Sequence, residues 1–79
     1  MRTVIIVSRC LNEHSERPNF HFKGFLSGQF IKGLKLSGDP SMKWKKGEDY
    51  VLYVNVECVR SGILWGQVIR SRALEELMS

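Results

Sequence analysis

The sequence predicts a mainly β protein that forms a small five-stranded barrel with a short C-terminal helix. Runs rich in β-branched and aromatic residues alternate with short turns along the 79 residues. Glycines stand inside these runs, where a strongly curved sheet needs positions without a side chain. Only residues 71–78 have a helical pattern, so the sequence offers no long helix to cover a flat sheet. We therefore expect a closed or nearly closed barrel in which residues 1–79 form one domain.

The first three strands are predicted in the N-terminal half. A strand is expected over residues 3–10, because Thr-Val-Ile-Ile-Val-Ser-Arg-Cys is rich in β-branched residues and too short for an amphipathic helix. The polar residues 12–19 show no periodicity and indicate a surface loop. Two further strands are predicted over residues 20–26 and 29–36, joined by a Ser-Gly turn.

The most regular part of the sequence is residues 46–70, which predict a long β-hairpin. Its first strand alternates apolar and polar side chains with a period of two, as a strand with one buried face does. The apolar positions are Tyr50, Leu52, Val54, Val56 and Cys58, and the polar positions include Asp49, Asn55 and Glu57. Before the hairpin, residues 37–48 indicate a basic connection without a helix. After it, residues 71–78 indicate a short helix whose apolar side is formed by Leu74, Leu77 and Met78.

Two registers of this hairpin are open, and they differ in the length of the loop. In the first, residues 60–62 form a three-residue loop with Gly62 in the left-handed conformation. Leu64 and Val68 then enter the core, and Trp65 points outward. The cross-strand pairs of this register are Val59 with Ile63, Val56 with Gly66, and Val54 with Val68.

In the second register, Ser61 and Gly62 form a two-residue loop, and Trp65 and Ile69 enter the core instead. The pairs are then Arg60 with Ile63, Val56 with Gln67, and Tyr53 with Arg70. We favour the three-residue loop because it puts a glycine where the left-handed conformation is required and keeps Gln67 out of the core. The exposure of Trp65 distinguishes the two registers.

The hairpin also carries a resemblance to a known fold. Lys45-Lys-Gly-Glu-Asp-Tyr-Val-Leu enters a long strand, a glycine-containing turn follows, and the next strand reads Leu64-Trp-Gly-Gln-Val-Ile. Over residues 45–70 this pattern resembles OB-fold domains, which implies an OB-like barrel. Many OB-folds have a helix between their third and fourth strands, whereas residues 37–48 are short and broken by glycine and proline. An SH3-like barrel, which needs no such helix, is the alternative.

The cellular location is predicted from the length of the apolar runs, and the redox state is predicted from the two cysteines. The longest apolar run, residues 4–7, is too short to cross a bilayer, and the N-terminus lacks the apolar region of a signal peptide. We therefore expect a cytoplasmic protein that does not enter the membrane. Cys10 and Cys58 both lie in apolar runs and are interpreted as buried thiols, with a disulfide between adjacent strands as the alternative.

No combination of residues indicates catalysis, a cofactor or a metal site. The acidic residues form no close pair on one predicted strand face, and neither serine turn has the context of a nucleophile elbow. A zinc site could be assembled only from Cys10, Cys58, His14 and His21, whose spacings match no compact zinc motif. The glycines at 24–33 do not form a phosphate-binding loop. We expect a protein without enzymatic activity.

A nucleic-acid partner is the favoured function. Twelve Lys and Arg against eight Asp and Glu give a net charge of +4, which suits a polyanion. A surface for single strands needs aromatic rings for base stacking and cations for phosphates. We predict stacking on Trp44 and Tyr53, with the cations Lys43, Lys45, Lys46 and Arg70. Further candidates on the strands are Lys23, Phe25, Lys32, Lys35 and Trp65, although Phe25 could equally belong to the core and strand lysines are a common device against edge pairing.

Protein association is the alternative function. An exposed Tyr53 and Trp65 would form an aromatic patch of the kind that anchors protein contacts. Leu77 on the C-terminal helix could pack on a neighbouring molecule, including a second copy of the chain. This alternative predicts partner binding or a homo-oligomer through Tyr53, Trp65 and Leu77.

Overall fold

The computed structural model describes residues 2–78 as seven strands followed by one short helix, which confirms the mainly β class. The strands are β1 (Arg2–Cys10), β2 (Phe20–His21), β3 (Gly24–Leu26), β4 (Gln29–Ile31), β5 (Gly33–Ser37), β6 (Asp49–Arg60) and β7 (Ile63–Ala73), and the helix is α1 (Leu74–Met78). The predicted strand at residues 20–26 is split into β2 and β3, and the one at 29–36 into β4 and β5.

The strands form a five-stranded sheet and a separate hairpin. The order in the larger sheet is β2-β1-β6-β7-β5, and β3 pairs with β4 alone. β1 runs antiparallel to β6, whereas β5 runs parallel to β7. Each of the five strands expected from the sequence therefore corresponds either to one strand of the structure or to two consecutive ones.

The sheet is not closed into a barrel, which corrects the expected closure. The hydrogen-bond ladder is interrupted at the two points where a predicted strand splits. At one of them the Lys32 N–H donates to the Gly62 carbonyl at 2.8 Å. β2 meets β1 only through Phe20 and His21, opposite Cys10 and Arg9. The β3–β4 hairpin thus remains outside the larger ladder.

The turn of the β6–β7 hairpin contradicts the favoured three-residue loop. Arg60 pairs with Ile63, and Ser61 and Gly62 form a two-residue loop with φ of +53° and +76°. Two positive φ values in succession are the mark of a type I′ turn, whose twist matches that of the flanking strands.

Two irregularities then change the register along the hairpin. At the first, β6 contains one extra residue, Glu57, which has no opposite residue in β7. Val56 therefore pairs with Gly66, as in the three-residue register. At the second, β7 contains one extra residue, Ile69, which has no opposite residue in β6. Tyr53 therefore pairs with Arg70, as in the two-residue register. Leu64 and Val68 are consequently buried and Trp65 is exposed, as the three-residue register predicted, although the turn itself has two residues.

The core lies between the inner face of the large sheet and the segments that cross it. Its fully buried side chains are Ile6, Cys10, Ile31, Leu52, Val54, Leu64 and Val68. The alternating pattern of β6 is confirmed for Tyr50, Leu52 and Val54, which are all buried. Residues 38–48 contain no helix, as predicted.

The C-terminal helix begins later than predicted and leaves much of its apolar side exposed. β7 continues to Ala73, so Ser71, the first residue of the predicted helical segment, lies in the strand. Leu77 and Met78 are 46% and 78% exposed. Across residues 2–78 we find no helix with the length and apolar character that a membrane span requires.

Candidate nucleic-acid interface

Trp44 lies in the core, which corrects its predicted role in base stacking. The side chain is only 5% exposed. Its ring meets Phe20 and Tyr50 edge to face, with centroid separations of 5.1 and 5.4 Å. A side chain buried to this degree cannot receive a nucleobase, so Trp44 is a structural residue.

The lysines beside Trp44 are exposed, as a phosphate-binding role requires. Their segment is held by its backbone: the Lys45 N–H donates to the Tyr50 hydroxyl at 2.8 Å, and the Lys46 N–H donates to Glu13 Oε2 at 3.3 Å. With Trp44 buried, Lys43, Lys45 and Lys46 provide charge without an adjacent aromatic surface. Their role in phosphate binding stays a prediction.

Tyr53 and Arg70 form a second, separate group on the outer face of the large sheet. They are cross-strand partners, and the guanidinium carbon of Arg70 lies 5.5 Å from the centre of the Tyr53 ring. This cation–π contact covers part of a ring that is already half-buried. Because Tyr53 and Tyr50 differ by three positions in β6, their side chains point to opposite faces, and the structure does not unite Tyr53 with the lysines near Tyr50.

A better aromatic surface lies on the β3–β4 hairpin. Phe25 and Phe30 are opposite residues, 71% and 42% exposed, and their ring centroids lie 5.3 Å apart. Lys23 and Lys32 are also exposed, and each is two positions from one of the rings. Two phenyl rings flanked by two ammonium groups are therefore available to a ligand.

This hairpin was only partly foreseen. The sequence leaves Phe25 open between surface and core and does not single out Phe30 as a site residue. The signal was nevertheless present in the sequence: a turn at the predicted Ser27-Gly28 makes Phe25 face Phe30. That turn is confirmed, with φ of +52° at Ser27 and +79° at Gly28.

From this hairpin the chain leads along β5 to Trp65. Lys32 lies beside Gly62, and from there β5 runs along β7 until Lys35 faces Trp65. Trp65 is 40% exposed. We call the exposed lysines and aromatic residues along this path the basic-aromatic strip and define it by Lys23, Phe25, Phe30, Lys32, Lys35 and Trp65.

A groove of about 520 Å³ opens at the Trp65 end of the strip. The loop before β2 contributes Arg17 to its lining, β5 contributes Lys35 and β6 contributes Glu57. This volume is in the range of small-ligand sites. We call it the Trp65 groove.

Comparison with known proteins finds no match for this chain. No family model matches it, and neither a curated protein nor a solved structure is found to be similar. The site must therefore be interpreted from its own chemistry.

Cys10 is buried, whereas Cys58 is half-buried, so the interpretation as a buried thiol is confirmed for Cys10 only. Cys10 and Cys58 are free, so the alternative of a disulfide between them is wrong. Burial raises the pKa of the Cys10 thiol, which donates to the Asn12 carbonyl at 2.6 Å. Within residues 2–78, no three His, Cys, Asp or Glu side chains form a group that could hold a metal ion.

Proposed function

We propose that this protein binds single-stranded nucleic acid, without catalysing a reaction, along the basic-aromatic strip. The observation that carries the proposal is the exposed pair of Phe25 and Phe30 with Lys23 and Lys32 beside it. Bases stack on aromatic rings irrespective of sequence, and ammonium groups bind the phosphates between them. Adjacent exposed apolar rings on a protein surface are a feature of ligand- and partner-binding sites.

The expected energies are sufficient for measurable binding. Each stacked base contributes about 1–3 kcal/mol, which is about a 5- to 150-fold change in the dissociation constant. Arg17, Lys23, Lys32 and Lys35 are the cations along the strip and its groove. With about 0.7 counterions released per neutralised phosphate of a single strand, four contacts predict a slope of about −3 for log affinity against log salt.

The strand pairing supports an OB-like interpretation of the fold. If β2 with β3 is the second strand and β4 with β5 is the third, the first strand pairs with the fourth, β6, and the third runs parallel to the fifth, β7. An OB-fold has this arrangement and binds oligonucleotides on the face of its second and third strands, which correspond here to the chain segments that carry Phe25, Phe30 and Lys35 of the strip. An SH3-like barrel of antiparallel strands does not account for the parallel pair. The open sheet and the missing helix before β6 depart from the OB pattern.

Titration with a fluorescently labelled single-stranded oligonucleotide tests the proposal. Fluorescence anisotropy at low and high salt should show binding that weakens steeply as salt rises. The double variant Phe25→Ala/Phe30→Ala should bind at least about tenfold more weakly. Its matched control is Ile5→Ala/Ile69→Ala, which removes two exposed apolar side chains from the outer face. No binding at low salt, or equal losses in both variants, would contradict the proposal.

The lysines need their own comparison. Lys23→Ala/Lys32→Ala should reduce the salt slope by about 1.4, since two phosphate contacts are lost. Lys45→Ala/Lys46→Ala removes the same charge from the connection before β6 and should change the slope less. A larger change of the salt slope in Lys45→Ala/Lys46→Ala than in Lys23→Ala/Lys32→Ala would instead assign the phosphate site to the connection before β6.

Association of two copies is the second candidate function, and the outer face of the large sheet supports it. Ile5, Val7 and Ile69 are each more than half exposed, and Tyr53 is the cross-strand partner of Ile5. Apolar groups that stay in water on a sheet face favour pairing with an equivalent face. Light scattering across a concentration series should then show a dimer that Ile5→Lys abolishes. A monomer at every concentration would remove this candidate.

A further inference from the structure

Glu57 is the one acidic side chain in the lining of the Trp65 groove. The same lining contains the cations Arg17 and Lys35 and the aromatic ring of Trp65. Glu57 is exposed, and its carboxylate makes no hydrogen bond or ion pair with any residue in the part of the chain that the structure describes. A carboxylate in this position repels phosphates and weakens general binding of a polyanion.

The position of Glu57 follows from the irregular register of the hairpin. Cys58 faces Trp65 and Val56 faces Gly66, so Glu57 has no opposite residue. A residue left out of the ladder in this way directs its side chain differently from a regular strand residue. Here it lines the same groove as the indole of Trp65.

We propose that the Trp65 groove binds one nucleobase and that Glu57 selects bases with an exocyclic amino group, cytosine among the pyrimidines, over uracil and thymine. The inference rests on the proposed nucleic-acid function and specifies its preference. The base stacks on Trp65, and Arg17 and Lys35 bind the adjacent phosphates. Glu57 accepts a hydrogen bond from the amino group.

The chemistry of the base edges gives the selection its direction. An ionised carboxylate is only an acceptor of hydrogen bonds. Cytosine presents the N4 amino group, which donates to such a carboxylate, whereas uracil and thymine present the O4 acceptor at the same position. Two acceptors repel each other, so a Glu57 carboxylate that meets the exocyclic position favours cytosine and disfavours uracil and thymine. A hydrogen bond from cytosine also offsets the repulsion between Glu57 and the phosphates.

Oligo(dC) and oligo(dU) of equal length are the suitable probes, since their bases differ in the exocyclic group and in the protonation of N3. Anisotropy titrations at neutral pH should show about 5- to 150-fold tighter binding of oligo(dC). Glu57→Gln replaces the acceptor by an amide that both donates and accepts, so it should bring the ratio of affinities close to one. It should also strengthen binding of oligo(dU).

The matched control is Glu75→Gln, which removes the same charge from α1 and should leave the ratio unchanged. Trp65→Ala should weaken both oligonucleotides at least about fivefold. Equal affinity of the unmodified protein for the two probes, or a ratio that persists in Glu57→Gln, would overturn the selection while leaving the proposed function intact. Failure of both probes to bind at low salt would overturn the two together.

Discussion

Replacing Trp44 with phenylalanine should lower the free energy of unfolding by about 1–3 kcal/mol. The smaller ring loses about 40 Å² of buried apolar area, which corresponds to about 1 kcal/mol. It also weakens the edge contacts with Phe20 and Tyr50, each of which contributes about 0.5–1.5 kcal/mol beyond area. The bond from Trp44 Nε1 to the Ser15 carbonyl is long, at 3.4 Å, and adds little.

Phenylalanine is preferable to alanine at Trp44 because the domain has limited stability. At about 0.05–0.15 kcal/mol per residue, a chain of this size has about 4–12 kcal/mol in total. Truncation of a buried tryptophan to alanine lowers the free energy of unfolding by about 3–5 kcal/mol, which is enough to unfold a domain at the lower end of this range. Trp44→Phe should remain folded and melt about 4–8 °C lower for each kcal/mol lost.

Urea denaturation followed by circular dichroism measures the difference, and Trp65→Phe is the control. Trp65 is exposed, so its replacement should change stability by less than about 0.5 kcal/mol. The folded Trp44→Phe variant should bind oligonucleotides like the unmodified protein. If Trp65→Phe were the more destabilising change, or if Trp44→Phe lost binding while staying folded, the assignment of one indole to the core and the other to the surface would be refuted.

Three further changes test the fold. Gly66→Ala would bring a Cβ atom to 2.7 Å from the Asn55 carbonyl oxygen and 2.8 Å from Val54 Cγ1, so a loss of about 1–3 kcal/mol is expected in urea denaturation, and a neutral effect would contradict this close approach. Gly28→Ala meets no atom within 4 Å but has φ of +79°, so it should lose only about 1–2 kcal/mol, from backbone strain. Burial raises the pKa of Tyr50 above its usual value of 10.0. The stability this tyrosine contributes is therefore complete below that pH and is lost as the pH rises through its pKa in the folded state; alkaline denaturation should show this fall, and Tyr50→Phe should reduce it.

Local features of the fold were predictable because they depend on residues close together in sequence. The alternation in β6 identified its buried face, with Leu52 and Val54 inside. The Ser27-Gly28 turn was recognisable because few residue pairs accept two positive φ values. The connection before β6 was correctly predicted to lack a helix. Each of these requires only backbone preferences and a strand period of two.

The hairpin register was beyond such rules. Both proposed registers assumed a regular ladder, whereas the structure leaves out Glu57 and Ile69 at two separate points. It therefore combines the turn of one register with the buried residues of the other. Where a strand shifts is decided by how its side chains pack against distant segments, and sequence alternation alone does not contain that information.

The candidate site was predicted in its chemistry more than in its place. Lysines next to aromatic residues can be recognised in any sequence, but the sequence does not show whether the aromatic ring is exposed. In Lys43-Trp44-Lys45 the ring is not exposed, because Trp44 packs against Phe20 and Tyr50. The sequence alone determined a basic, mainly β protein, its turns and the inner face of its longest strands. The tertiary structure decided that the sheet stays open, that Trp44 is buried, and that Phe25, Phe30 and Trp65 are exposed. Those outcomes depend on packing between segments far apart in the chain, whose contact energies no local pattern records.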